Sequence, residues 1–168
     1  MNPRWKPGVT VAAVVENQGK FLLVEEETPS GLRLNNPAGH LDAGESLIEA
    51  CIRETREESA YQFTPQALVG SYLWRASDGS GDPSGYLRFA FCGVLGAHDP
   101  TQALDHGIVR TLWLSLDEVR ASAARHRNPL VLQCIEDYLR GCRYPLELLN
   151  THPAIYPPGA DTAAPSQR

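Results

Sequence analysis

Gly39-His40-Leu41-Asp42-Ala43-Gly44-Glu45-Ser46-Leu47-Ile48-Glu49-Ala50-Cys51-Ile52-Arg53-Glu54-Thr55-Arg56-Glu57-Glu58 is the stretch that decides how this 168-residue chain is read. Ser46 followed three residues later by Glu49 is a capping box, so a helix is expected from there to about Glu58. On that helix Glu54 lies one turn before Glu57 and Glu58, and the carboxylates are neighbours. At about 100° per residue, Glu54 and Glu58 fall within roughly 60° of Leu47 and Cys51, on the stripe a surface helix keeps apolar. The helix therefore begins with a buried face and ends with acids on that same face. Burying like charges together is costly unless a cation is present. A divalent metal is the simplest relief, and a solvated acidic face is the alternative.

The spacing within this stretch is G-x5-E-x7-R-E-x-x-E-E, and on it the chain resembles the Nudix hydrolases. With residue types each used at about 5–7%, six such matches arise by chance about once in ten million starting positions. Three positions depart from the family pattern. Thr55 stands where an aliphatic residue is usual, Ala60 where a glycine is usual, and Tyr61 where an aliphatic is usual. Threonine is close to valine in shape, but its hydroxyl must find a partner. A glycine after a helix commonly supplies the left-handed cap, a conformation that costs alanine about 1 kcal/mol. Either the helix runs on toward Pro65 or its exit turn differs.

The resemblance implies an α/β/α sandwich with a mixed sheet and the box as a loop-helix-loop. It implies that Glu54, Glu57 and Glu58 ligate Mg²⁺ (or Mn²⁺) and serve catalysis, with the carbonyl of Gly39 joining the ligands. Glu45 and Arg53 match a pair that braces the box structurally. Magnesium suits such a set, since it takes oxygen ligands and bridges to phosphate. Glu57 and Glu54 are both candidate bases from within the box. Many relatives instead use an acid near position 107, where this chain has Gly107. Asp105 and His106 are close enough to substitute, with solvated loop residues as the alternative reading. Glu25, Glu26 and Glu27 form a second acidic run, of which one is expected at the site and two in solvent.

Further segments (residues 9–12, 19–28, 36–41, 87–89 and 143–148) resemble one subgroup of bacterial Nudix phosphatases over residues 7–148. That likeness implies release of phosphate from nucleoside tri- and diphosphates or thiamine-related pyrophosphates such as hydroxymethylpyrimidine pyrophosphate. Hydrolysis of another diphosphate (ADP-ribose, a dinucleoside polyphosphate or an oxidised dNTP) is the alternative within the class. A nucleotide sensor without turnover is the alternative outside it.

Net charge is −5, which argues against a nucleic-acid polymer as partner. No apolar run approaches about 18 residues and the first residues lack a signal-peptide core, so no membrane partner and a cytoplasmic location are expected. Cys51, Cys92, Cys134 and Cys142 lack CxxC spacing and read as reduced core residues rather than a zinc site. Strands are expected at 9–15, 20–25, 32–35, 67–76, 86–95 and 108–114. A second capping box, Ser115 with Glu118, opens a helix to about Arg125, and Pro129 starts a third to about Arg140. Residues 1–150 are expected to form one domain, with a frayed Pro- and Ala-rich tail over 151–168. Oligomeric state is not legible.

A planar head group needs an aromatic platform, and phosphates need cations. Alternation puts Tyr72 and Trp74 on one strand face, and Arg88 and Ala90 opposite Phe89 and Phe91 on another. Trp74 is the candidate platform, or plain core. Arg88 is a candidate phosphate cation, or a surface residue. His40 is a candidate contact to the leaving phosphate, and the loop 77–85 a candidate lid.

Overall fold

The computed structural model describes residues 4–75 and 85–158. The chain opens with β1 (Gly8–Val14), a two-residue β2 (Glu16–Asn17) and β3 (Lys20–Thr28). Gln18 and Gly19 both take positive φ (51° and 76°), as a tight hairpin turn matching the twist of its strands requires. Next come β4 (Gly31–Asn35), β5 (Ala38–His40), helix α1 (Leu47–Ser59), β6 (Tyr61–Arg75), β7 (Gly85–His98) and β8 (Ile108–Ser115). Helices α2 (Leu116–Ala121) and α3 (Leu130–Leu139) follow, with short 3₁₀ turns between and after them.

Two four-stranded sheets result. One runs β5-β1-β7-β6, with β1 and β7 parallel and the other pairs antiparallel. The other runs β2-β3-β4, with β8 antiparallel on the free side of β3. Strand β1 is buried on both faces, which explains its unbroken apolar run. Val11, Ala13, Phe91 and Leu68 face α1 through Ala50 and Cys51. Ala12, Val14, Ala90 and Cys92 face Phe21, Leu23, Leu34 and the α3 residues Val131, Cys134 and Ile135. The expected α/β sandwich with a mixed sheet is what forms.

Several boundaries differ from the sequence reading. Strand β6 starts at Tyr61 rather than near residue 67, because Pro65 sits at an irregularity where the β6–β7 register shifts. A proline is tolerated where a bulge removes the need for its N–H. Helix α2 ends at Ala121, with a 3₁₀ turn taking the chain on to Arg125. Pro129 caps α3 from just outside it, and Asn128 Oδ1 accepts the Leu130 N–H at 3.0 Å. All four cysteines are free, and three are buried. Of the tail, 153–155 forms a 3₁₀ turn and the Tyr156 hydroxyl donates to Glu49 Oε2 at 2.9 Å. The remainder of the tail and the candidate lid up to residue 84 lie outside the described residues. No helix is long and apolar enough to cross a membrane, among the described residues.

Ala60 takes neither course anticipated for it. The helix stops at Ser59, and Ala60 itself adopts the left-handed cap (φ 59°, ψ 14°), its N–H donating to the Arg56 carbonyl. Strand β6 starts at the next residue, so the chain has no room to run on. Left-handed backbone costs alanine about 1–2 kcal/mol, and glycine returns about 0.4–1 of that as unfolded-state entropy. Ala60→Gly is therefore expected to raise the melting temperature by about 1–2 °C. Ala60→Val, branched at a position of positive φ, lowers it by a larger amount in the same calorimetric comparison.

Candidate active site

Helix α1 is set by its capping box: Ser46 Oγ accepts the Glu49 N–H at 3.2 Å, and the Ser46 N–H donates to Glu49 Oε2 at 2.7 Å. From there the buried stripe runs through Ala50 and Cys51 to Glu54, Thr55 and Glu58. The Thr55 hydroxyl finds its partner in the Cys51 carbonyl, 2.7 Å away. Glu54 and Glu58 are 9% and 7% exposed, so the acids do share the face that packs on the sheet. Glu57 points outward, its side chain 45% exposed.

Arg53 ties the stretch together. Its Nε and Nη2 grip Glu45 in a two-pronged contact at 3.0 and 2.8 Å. Its Nη1 donates to Glu54 Oε1 at 2.8 Å and to Glu57 Oε2 at 3.1 Å, and its Nη2 to the His40 carbonyl at 2.9 Å. One guanidinium thus fixes the loop, the strand β5 and two of the three glutamates. Gly39 sits directly against the third dimension of this arrangement. A Cβ there would lie 2.1 Å from the carboxyl carbon of Glu54, so any other residue must displace that carboxylate. Glu58 is held from the other side, its Oε2 accepting the Ala38 N–H at 2.8 Å.

The electrostatics are congested. Burial raises the Glu58 carboxyl to about 8; the Ala38 N–H opposes this, while Glu54, Glu26 and Asp105 reinforce it. Glu54 is also raised by burial, with Glu57 and Asp105 adding repulsion against the Arg53 contact. Burial pushes Glu45 up too, but there Arg53 and the Asp42 N–H outweigh it and hold it below the usual range. Among the described residues no three His, Cys, Asp or Glu side chains already converge on one point as ligands. Glu54 and Glu57 are turned toward Arg53 instead. The donor set nonetheless fits a hard divalent cation: carboxylate oxygens crowded together, neighbouring charges opposing the ionisation of Glu54 and Glu58, against the bare backbone of Gly39.

The other predicted residues divide between two places. Glu57, Asp105, Arg53, Arg56 and Gln102 line an open groove of about 740 Å³. The Asp105 N–H donates to the Glu57 carbonyl at 2.9 Å, which brings this loop to the helix end. Gly107 has φ 90°, so the turn demands glycine there and moves the available acid to Asp105. Trp74 does not reach the acids. It lines a second cavity of about 440 Å³ with His126, Arg127, Pro129 and Leu132. The exposed His40 ring links the two places, 6.0 Å from Tyr86, which stacks in turn with Trp74 at 6.1 Å. Arg88 is 5% exposed, which removes the reading of a surface cation.

Glu25, Glu26 and Glu27 correct the sequence reading, since one of them faces solvent and not two. Glu25 is 3% exposed and clamped by Arg110 at 2.8 Å and by Arg125. Glu26 turns inward toward Asn35 and Arg88. A register shift between Glu25 and Glu26 breaks the strict alternation that would send neighbours to opposite faces. Asn35, Asn36 and Tyr86 went unnoticed in the sequence. Two consecutive asparagines leading into Pro37 were the available signal.

This fold and this box define a family. The NUDIX domain model matches residues 5–134, and the chain belongs to the Nudix family and is a hydrolase of that class. It is 42% identical over 145 residues to Phosphatase NudJ of Escherichia coli (strain K12), covering 86% of this chain and 92% of the relative. The Shigella flexneri Phosphatase NudJ matches equally. Among solved structures, a NUDIX hydrolase from Nitrosomonas europaea superposes with a TM-score of 0.83 at 51% identity, covering 88% of this chain and 98% of its own. A MutT NUDIX hydrolase from Burkholderia pseudomallei shares the fold at a TM-score of 0.65 and 16% identity.

The congestion has a measurable consequence. Because the Glu58 carboxyl is raised on folding, the folded state holds more protons than the unfolded one between about pH 4.5 and about pH 8. Stability without divalent metal is expected to fall across that window by a few kcal/mol, approximately, with Glu54 adding in the same direction. The lowered Glu45 acts with the opposite sign and at more acid pH. Urea titrations at pH 5, 6.5 and 8 check this: Glu58→Gln flattens the slope and raises stability at pH 8. A steeper slope in the variant contradicts the account.

Proposed function

We propose that this enzyme hydrolyses a phosphoanhydride bond in nucleoside tri- or diphosphates, or in thiamine-related pyrophosphates, with Mg²⁺ or Mn²⁺, and releases phosphate. The observation that carries the metal dependence is the crowding of acids around Glu54 and Glu58, where burial and then neighbouring carboxylates raise the affinity of those two groups for protons while a single guanidinium serves Glu54 and Glu57. The substrate class rests on the likeness to Phosphatase NudJ over 92% of that protein. Four unpaired cysteines support a reducing, cytoplasmic setting. The catalytic unit is assigned to residues 1–150, with 151–168 as an appended tail.

Glu54, Glu57, Glu58 and the Gly39 carbonyl would hold the metal. Bound there, such an ion neutralises phosphate charge and acidifies an attacking water. The rest falls to the protein's own groups. Arg53 holds Glu54 and Glu57 in register with Glu45 and the loop. Glu57, the most exposed of the three and lining the open groove, is assigned to take the proton of the attacking water. Asp105, on the facing wall, is assigned a supporting role in orienting that water. His40 contacts the leaving phosphate, and Trp74 and Arg88 belong to the side that receives the head group. The sensing alternative drew its support from Gly107, and Asp105 beside the cluster weakens it.

The test is direct phosphate release, without coupling enzymes, from nucleoside di- and triphosphates, hydroxymethylpyrimidine pyrophosphate, thiamine pyrophosphate and ADP-ribose. Phosphate from the first four kinds of compound, and none from ADP-ribose, is the expected result. Nucleoside monophosphate plus pyrophosphate from a triphosphate, or ADP-ribose turnover alone, moves the assignment to another Nudix diphosphatase.

Glu57→Gln is expected to lower kcat by about 10²-fold or more with an unchanged melting temperature, and Asp105→Asn by less. Gly39→Ala pushes the Glu54 carboxylate aside, and steady-state kinetics should record a loss on the order of 10²-fold. Wild-type turnover in either Glu57→Gln or Gly39→Ala removes the respective assignment.

A further inference from the structure

An α-helix leaves its last carbonyls without partners of its own, and at the end of α1 the loop that follows β7 comes to meet them. Asp99, Gln102 and Asp105, spaced three residues apart, each reach this end of the chain's acidic helix. The Asp99 N–H donates to the Ala60 carbonyl at 2.9 Å, and the Asp105 N–H to the Glu57 carbonyl at 2.9 Å. Between them, Gln102 grips one residue at two points. Its Nε2 donates to the Arg56 carbonyl at 2.6 Å, and its Oε1 accepts from Arg56 Nε at 3.2 Å. Turned the other way, the amide would set oxygen against oxygen and N–H against N–H, so the two bonds also fix its sense.

The grip has an electrostatic task. Asp105 adds repulsion to both Glu54 and Glu58, so the loop carries a negative charge toward a place already crowded with them. An untethered loop would turn Asp105 away. The bonds at either end of the loop do not prevent that. Upstream, the Asp99 carboxylate accepts from the Thr101 N–H and hydroxyl at 2.9 and 2.6 Å. Downstream, the Gly107 carbonyl accepts the Glu27 N–H at 2.8 Å, which ties the loop to β3. Among the described residues, the hydrogen bonds joining the middle of the loop to α1 are those of Gln102 and the Asp105 N–H.

What is placed in this way is an oriented acid. Asp105 Oδ1 accepts the His106 N–H at 2.7 Å, which leaves the second carboxylate oxygen for a water. Glu57 and Asp105 both line the 740 Å³ groove, and Gln102 lines it beside Arg56 and Leu104. The position of the loop therefore sets the distance between the two acids across the groove.

We propose that Gln102 is a positioning residue for the hydrolysis: by gripping Arg56 with both ends of its amide, it holds Asp105 facing Glu57 against the repulsion of the other carboxylates. Gln102 itself touches no reacting group. This rests on the hydrolase reading and on the part given there to Asp105, whereas docking of the loop is measurable without turnover.

The experiment is a double-mutant cycle of Gln102→Met and Asp105→Asn, with turnover followed on whichever compound of the panel is cleaved fastest. Methionine keeps the length of the side chain and loses both hydrogen bonds. Gln102→Met should lower kcat by about tenfold in the wild-type background, and by less than about twofold where Asp105 is already Asn, since a misplaced acid and an absent one cost alike. A similar loss in both backgrounds marks a general effect on the fold and overturns the proposal. So does wild-type kcat in Gln102→Met, or in Asp105→Asn, where there is then no acid worth placing; the hydrolase reading survives either result. Exchange of the Asp105 amide hydrogen, followed by NMR, reads the docking directly and should quicken by about tenfold in Gln102→Met. An unchanged exchange rate overturns the proposal whatever the kinetics. If nothing in the panel is cleaved, quickened exchange sustains Gln102 as the residue that places the loop while the hydrolase reading fails.

Discussion

The fork of Arg53 is the interaction on which the site depends. Buried carboxylates at one helix end repel one another, and each loses hydration on folding. A single guanidinium, planar and always charged, holds Glu45 with two nitrogens and reaches Glu54, Glu57 and the His40 carbonyl with the same two terminal groups. A lysine presents one point of charge and cannot span four partners. The loop, the edge strand β5 and the helix are thereby locked into one body before any substrate arrives.

That locking explains why charge is left over rather than neutralised. Glu58 receives one N–H from Ala38 and no cation, and its carboxyl is pushed to about 8, first by burial. Stability is surrendered where these acids crowd together, a pattern common to functional sites. Elsewhere the chain treats buried acids differently. Glu25 is as little exposed, but what covers it is Arg110 and Arg125, which hold its carboxyl below the usual range. Two carboxylates of similar exposure thus differ in what covers them, cations for one and the apolar interior for the other.

The fold also brings strands that are distant in sequence side by side. Parallel pairing of β1 with β7 sets Thr10 against Arg88, residues separated by nearly half of the chain, and β5 adds His40 beside Thr10. Strand β6 contributes Trp74 opposite Tyr86. The acids sit at one side of this surface and the aromatic row at the other.

Local spacing carries local facts, and these were legible in the sequence. The capping box Ser46–Glu49, the helix to Glu58 or Ser59, the shared azimuth of Cys51, Glu54 and Glu58, and the hairpin at Gln18-Gly19 each depend on residues within a turn or two of one another. Box spacing alone was enough for the family. Other features depend on who stands opposite whom, and no short window contains that. Ala60 takes a left-handed cap because β6 begins at once and Asp99 on the far end of the β6–β7 pair donates to its carbonyl. Glu26 turns inward because of a register shift against β8. Arg88 and Asn36 are buried polar residues only because two sheets close over them. Periodicity reports which face of its own element a residue occupies; whether that face meets solvent, a cation or an unmet hydrogen bond is decided by partners that tertiary contacts alone supply.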